Sequence, residues 1–192
     1  MMNIVLFGPP GSGKGTQATY IVNSKKLTHI STGDIFRKNI SQNTKLGQLA
    51  SDFMNKGQLV PDQLTIDLLE TEIDTYKNSN GFIFDGFPRT LPQAEAFDKF
   101  LDIKSMSLDK IISLEVSEDE LVARLLKRGL DSGRKDDQNP DIIRNRIKVY
   151  ESQTSILKTY YMENLKDKFF TINGERTIDV ITKDILDILL KD

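Results

Sequence analysis

The chain has 192 residues, 38% of them hydrophobic and 28% charged, with a formal net charge of -2 and no cysteine. That length gives one substantial core with small insertions, and no apolar run approaches the roughly 18 residues of a membrane span. Disulfides and thiolate zinc sites are excluded, and the lack of a basic bias argues against a broad nucleic-acid-binding surface. We therefore expect a soluble globular protein of the cytoplasm, without membrane or nucleic-acid partner, that holds any anion with local positive clusters. The N-terminus enters an apolar run with no basic segment before it, so no secretory signal is expected.

The first apolar run, Asn3 to Phe7, reads as a strand, and GPPGSGKGT, Gly8 to Thr16, follows it directly. A strand that stops in a Gly-rich turn and resumes as a helix leaves several backbone N–H groups converging on one concavity, which suits phosphate. The spacing Gly8-x-x-x-x-Gly13-Lys14 fits the P-loop pattern, except that Gly15 stands where Ser or Thr is usual and Thr16 comes next. A helix near Lys14 to Lys25 and a short strand near Thr28 to Ile30 continue the alternation. His29, the only histidine, reads as structural. From about Ser31 to Val60 the pattern is largely helical, an excursion of roughly 30 residues from the sheet. Met54, within it, reads as packing.

A helix near Asp62 to Tyr76 leads to the strand Gly81 to Phe84, which ends in Asp85. P-loop proteins place a carboxylate there to orient magnesium and its waters. Gly86 turns the chain, Pro88 constrains it and Arg89 follows, at the sheet edge where ligands bind in open α/β folds. A helix near Leu91 to Leu101, a strand Lys110 to Glu115 and a helix Glu118 to Arg128 come next. The segment GLDSGRKDDQN, Gly129 to Asn139, is polar and bounded by Pro140, and reads as an exposed, hinged loop whose Arg134 could close over a polyphosphate. A helix Pro140 to Asn164, a solvated turn at Lys166-Asp167-Lys168, a strand Phe169 to Ile172 and a helix Thr177 to Leu190 complete the chain. The alternation predicts one α/β unit with a parallel five-stranded sheet and helices on both faces.

Only eight of the 26 basic residues are arginines, and five of them fall between Arg124 and Arg146. Arginine's planar fork suits bidentate phosphate contacts, so each invites a ligand. Arg124 and Arg128, four apart on a helix, share a face. Arg144 and Arg146 lie about 200° apart, so at most one faces the same ligand.

Taken together, GPPGSGKGT, STGDIFR at Ser31 to Arg37, GFPRTLPQA at Gly86 to Ala94 and GRKDD at Gly133 to Asp137 closely resemble the adenylate kinase family, in order and over essentially the whole chain. The resemblance implies a P-loop NTPase-type core, 1–30, 61–126 and 139–192, with a helical AMP-binding segment 31–60 and a short lid 127–138 that lacks the zinc-bearing insert of some bacterial members. It implies a cytoplasmic monomer that transfers a phosphoryl group reversibly from ATP to AMP, giving two ADP, with Mg2+ as cofactor and no structural zinc.

On that resemblance, Lys14 bridges the β- and γ-phosphates while Gly11, Ser12, Gly13, Gly15 and Thr16 cradle them. Arg176 lies by the ATP adenine, and Asp85 stands behind magnesium's waters. Thr32, Gly33, Arg37, Gln58, Leu59, Val60, Gly86, Phe87, Pro88, Arg89 and Gln93 form the AMP side. Arg37 and Arg89 grip the AMP phosphate there, and Gln93 reads the base. Arg124, Arg128, Arg134 and Arg146 surround the transferred group, the last two also on the AMP side, and Arg144 is solvated. A uridylate-cytidylate kinase would share this architecture, but Thr32 and Gln93 favour adenine. A GTPase switch would need an Asn-Lys-x-Asp motif, which is absent, and a non-catalytic module would be expected to have lost Lys14 or some arginines.

Overall fold

The computed structural model describes residues 1–76 and 78–190. Five strands, β1 Met2–Phe7, β2 Thr28–Ser31, β3 Gly81–Asp85, β4 Lys110–Glu115 and β5 Phe169–Asn173, form a parallel sheet in the order β2-β3-β1-β4-β5. The α/β sheet read from the sequence is therefore the fold observed. Strand ends differ from the sequence reading by one residue or so. The near-continuous apolar runs have their cause in the burial of both sheet faces, which parallel crossovers impose.

Alternate residues sort onto the two faces. Val5, Phe7, Phe82, Phe84 and Ile111 point into one core with α4 Asp62–Thr75, α5 Leu91–Ile103 and α8 Leu157–Asn164. Ile4, Leu6, Ile83, Ile112 and Leu114 point into the other, with α1 Lys14–Lys25 and α9 Ile178–Ile188. The register aligns Leu6 with Asp85, and Asp85 with Ser31, so the carboxyl ends of β1, β3 and β2 stand in one row. Whatever follows these three strands is delivered to the same edge.

The excursion after β2 consists of α2 Thr32–Ser41 and α3 Lys45–Met54, which share a small cluster around Phe36, Ala50 and Val60. Met54 packs against that cluster.

Two expectations need correction. The segment 129–139 is not simply an exposed loop. Helix α6, Glu118–Ser132, runs on through Gly129 and stops at Gly133, whose φ of 66° supplies the left-handed ending. A 3-10 turn, Lys135–Asp137, then folds back onto the helix, and a Cβ at Gly129 would lie 2.5 Å from the Asp137 carbonyl. Glycine is needed there for close approach, not flexibility. The helix expected over Pro140 to Asn164 is also broken. Helix α7, Pro140–Val149, passes into a π turn, Tyr150–Thr154, before α8. The Ser155 N–H reaches back to the Tyr150 carbonyl at 2.8 Å, and the Thr154 hydroxyl donates to the Arg89 carbonyl at 2.8 Å. Residue 154 is thereby turned toward the sheet edge, as π turns at functional sites do.

Candidate active site

The loop after β1 is shaped by glycines with positive φ at Gly8, Gly11 and Gly13. At Gly8 a Cβ would lie 2.6 Å from Ser12 Oγ and 2.8 Å from the Leu114 carbonyl, so no side chain fits. Helix α1 begins at Lys14 with no side chain capping its first turn, which leaves its N–H groups for an anion. Lys14 Nζ donates to the carbonyls of Gly8 at 2.7 Å and Pro9 at 2.9 Å. Burial lowers the Lys14 pKa to about 8, with Arg89, Arg128 and Arg146 adding to the fall and Asp85 opposing it. Asp85, at the end of β3, faces this loop. Burial acts to raise it, but the Lys14 charge, with Arg89 also near, opposes burial and the carboxyl stays below its usual value. His29 Nε2 is 3.4 Å from Asp85 Oδ2, outside hydrogen-bond geometry.

These groups open onto a cavity of about 830 Å³, at the upper end of the size range for small-molecule sites. Gly11 to Thr16 line it, and so do Thr32, Gly33, Arg37, Gln58, Leu59, Val60, Gly86, Pro88, Arg89 and Gln93. Arg124, Arg128, Arg134, Arg146 and Arg176 also reach it. Phe87 does not. Its ring lies in the core beneath, edge-on to Phe97 at 5.3 Å, so it supports the turn that aims its neighbours. Arg144 points to solvent, beside Asp141 at 3.7 Å, as its position two residues from Arg146 predicts.

At the turn after β3 the Thr32 hydroxyl and Arg89 Nε both donate to the Gly86 carbonyl, at 2.8 and 2.6 Å. Gly86 itself (φ 77°) has no room for a Cβ, which would stand 2.6 Å from Arg89 Nη2. Burial, with Arg146 and Arg37 nearby, lowers the Arg89 pKa to about 10. Gln93 is buried, not solvated. Its Oε1 accepts the Arg89 N–H and its Nε2 donates to Asp62 Oδ1, both at 2.8 Å. The two contacts fix the amide's orientation and leave one N–H to give.

Carboxylates organise the arginines, and this the sequence reading largely missed. Asp137 is fully buried and takes a bidentate contact from Arg128, 2.6 and 3.1 Å, together with Arg146. Asp136 Oδ2 lies 3.1 Å from Arg146. Burial acts to raise Asp137, yet the arginines hold it below its usual range. Asp34 accepts from Arg37 at 2.5 Å and Arg134 at 3.2 Å, joining α2 to the turn after α6. Arg124 rests on Glu120 and the Gly174 carbonyl, and Arg176 pairs with Asp184 at 2.5 Å. Asp34 and Asp62 escape the sequence reading, and Asp136 and Asp137 enter it only as loop charges. For Asp136 and Asp137 the available signal was physical: an arginine cluster in a net-acidic chain needs buried counterions.

Among the described residues no group of three or more His, Cys, Asp or Glu side chains is placed to hold a metal on its own. The donor set fits magnesium carried by phosphates, with Asp85 as the protein's carboxylate; Gly15, whose Cβ would lie 3.6 Å from Asp85 Oδ2, leaves the space between open. No described helix is long and apolar enough to cross a membrane.

A P-loop, an aligned carboxylate and a counterion-held arginine cluster around one cavity are features of a phosphoryl-transfer site, and the chain's relatives point to one kind. The adenylate kinase family model matches residues 6–166. Adenylate kinase of Flavobacterium psychrophilum is 52% identical over 189 residues, covering 98% of each chain. That of Bacteroides thetaiotaomicron is 50% identical over 185 residues, 96% of each, and that of Azobacteroides pseudotrichonymphae is 45% identical over 187 residues, 97% of this chain and 96% of its own. With similarity at that level across nearly its full length, the chain belongs to the adenylate kinase family.

Proposed function

We propose that this protein is an adenylate kinase, transferring the terminal phosphoryl group of ATP reversibly to AMP to give two ADP and so balancing the adenine nucleotides. The observation that carries the reading is that the P-loop with Lys14 and the side chains of Arg89, Arg128 and Arg146 line one and the same cavity. An oxygen of the AMP phosphate attacks the γ-phosphorus while the bond to the leaving ADP oxygen breaks. The nucleophile is already anionic at neutral pH, so no general base is needed and positioning with charge neutralisation does most of the work.

Lys14 bridges the β- and γ-phosphates, and the amides of Gly11, Ser12, Gly13, Gly15 and Thr16 cradle them, with the Thr16 hydroxyl in the place of the Ser or Thr usual after the lysine. Arg37 and Arg89 hold the AMP phosphate. Arg124, Arg128, Arg134 and Arg146 neutralise the charge that spreads over the transferring oxygens. Thr32 and the spare N–H of Gln93 read the base: adenine N1 accepts a hydrogen bond, whereas guanine N1 donates one. Arg176 covers the ATP base. Bound with ATP, Mg2+ would neutralise phosphate charge, and Asp85 is the residue that would hold it, through water. The segment 31–60 serves as the AMP-binding arm and 127–138 as a short lid, on a core of 1–30, 61–126 and 139–192. We place the enzyme in the cytoplasm as a monomer whose partners are nucleotides only.

The test is a coupled assay for ADP formation from MgATP with AMP, UMP, CMP and GMP offered in turn. Strong preference for AMP is expected. Comparable turnover of UMP or CMP would sink the adenylate assignment.

A further inference from the structure

Two site segments far apart in sequence meet at a contact that the transfer chemistry leaves unused. The turn after α3 carries Gln58, Leu59 and Val60 on the cavity wall, and α7 carries Arg146. Between them, Asn145 Nδ2 donates to the Lys56 carbonyl at 2.6 Å, across 89 positions of the chain. Beside this bond Gly57 (φ 69°) approaches α7 so closely that a Cβ there would stand 2.9 Å from both Arg146 Cγ and the Ile142 carbonyl.

The geometry of α7 explains why Asn145 is the residue that reaches across. Ile143 and Ile147 bury their side chains against Leu121 and Leu125, and Arg144 faces solvent. Positions 142, 145 and 146, spaced i, i+3 and i+4, present the remaining face. No buried apolar cluster spans this junction among the described residues: Phe36, Ala50 and Val60 belong to one cluster, Ile143 and Ile147 to another. A directed hydrogen bond and a bare glycine backbone set the distance instead.

We propose that Asn145 is a positioning residue for the AMP side of the site: its amide docks the 55–60 turn on α7 and so holds Gln58 to Val60 and Arg146 in one arrangement. The inference rests on the adenylate kinase reading. Without the docking, the 55–60 turn moves independently of α7, whose Arg146 Asp136 and Asp137 still hold, and AMP must order the turn on binding. ATP, held by the P-loop on the other side, is indifferent to it.

Wild type is compared with Asn145→Leu, which keeps the side chain's size and removes the donor. The readouts are kcat, the KM of each substrate and the equilibrium Kd of AMP alone. KM and Kd for AMP should rise about three- to tenfold, the effect of one lost directed hydrogen bond, with the KM for ATP unchanged. Gly57→Ala, which forces the turn and α7 apart, should give the same AMP-selective loss. The double variant should be no worse than the worse single, because both changes remove one docking. If Asn145→Leu does not fold, Asn145→Ser goes through the same measurements. A lowered thermal midpoint with both substrates affected alike would mean a merely structural residue and overturn the proposal. A wild type that forms no ADP from AMP overturns the function reading and this inference with it. A competent wild type whose Asn145 variant keeps its AMP affinity overturns this inference alone.

Discussion

Lys14 shows how burial sets a residue's chemistry. With its pKa lowered to about 8, a substantial fraction of the free protein carries a neutral Lys14 near that pH. Phosphates placed against it favour the charged form, so nucleotide binding should draw in a proton near pH 8 and weaken as pH rises above it. Titration calorimetry of ATP binding in buffers of different ionisation enthalpy measures that uptake directly; wild type should take up part of a proton and Lys14→Met none. The same variant should lose about 10³-fold or more in turnover with its fold intact, since cations at the phosphoryl group act mainly in the transition state. A Lys14→Met enzyme retaining a tenth of wild-type turnover would refute the role. Gln93 makes the complementary case. Its carbonyl and one amide hydrogen are committed to Arg89 and Asp62, so Gln93→Ala removes both the base contact and the prop behind Arg89. KM for AMP should rise by about tenfold or more while KM for ATP barely moves. Equal effects on the two substrates would show that Gln93 is misplaced.

At the scale of elements, the turn after α6 carries the sharpest contrast. Arg134 reaches across to Asp34 on α2, while Arg144, ten residues on, stands in solvent. If Arg134 acts on the transferring group only when lid and arm are together, its removal lowers kcat and kcat/KM alike, whereas a uniform binding contact changes KM alone. Arg134→Ala should therefore cut kcat strongly and Arg144→Ala should do little, measured by steady-state kinetics with folding checked by circular dichroism. An inactive Arg144 variant beside an active Arg134 variant would overturn both the helix-face argument and the lid. The same elements show what the sequence could reveal. Strand runs such as Ile4 to Phe7 and Ile111 to Leu114 were legible because both sheet faces are buried, and so were the P-loop and Asp85, since glycine spacing and a strand-ending carboxylate are local patterns. The α6 extension was hidden because Gly129 looks like a breaker, and its purpose, the approach of the Asp137 carbonyl, depends on a contact eight residues away. The π turn was hidden too, because the Thr154 bond to the Arg89 carbonyl spans 65 residues and leaves no local periodic signal.

Over the whole molecule, a chain of net charge -2 gathers Lys14, Arg37, Arg89, Arg124, Arg128, Arg134 and Arg146 at one cavity. Phosphates can complete that charge balance only if the protein first survives the arginines' mutual repulsion, and the carboxylates set among them, Asp85 and Asp137 buried and Asp34 exposed, make this possible. Asp34, Asp85 and Asp137 are each held below their ordinary carboxyl value. A carboxylate depressed in the folded state contributes stability that is fully present above its unfolded pKa, near 4, and is lost as pH falls through that value toward the folded one. The thermal midpoint should thus hold from pH 7 to about 5 as far as these groups are concerned, then fall steeply below about pH 4 as they must be protonated in the unfolded chain. Asp137→Asn isolates one of them. It removes the charge that Arg128 and Arg146 share, and because Arg128 is partly exposed and screened by solvent the cost falls below that of a fully buried broken pair, to about 2 kcal/mol, or roughly 4–8 °C in a chain this size. At neutral pH the variant should melt lower than wild type. Below pH 4 its midpoint should fall less steeply, because one fewer carboxylate takes up a proton on unfolding, and the two curves should converge. Parallel curves from pH 7 to 3 would mean that Asp137 carries no stabilising charge in the folded protein, and that the arginine cluster is held together by something other than its buried counterions.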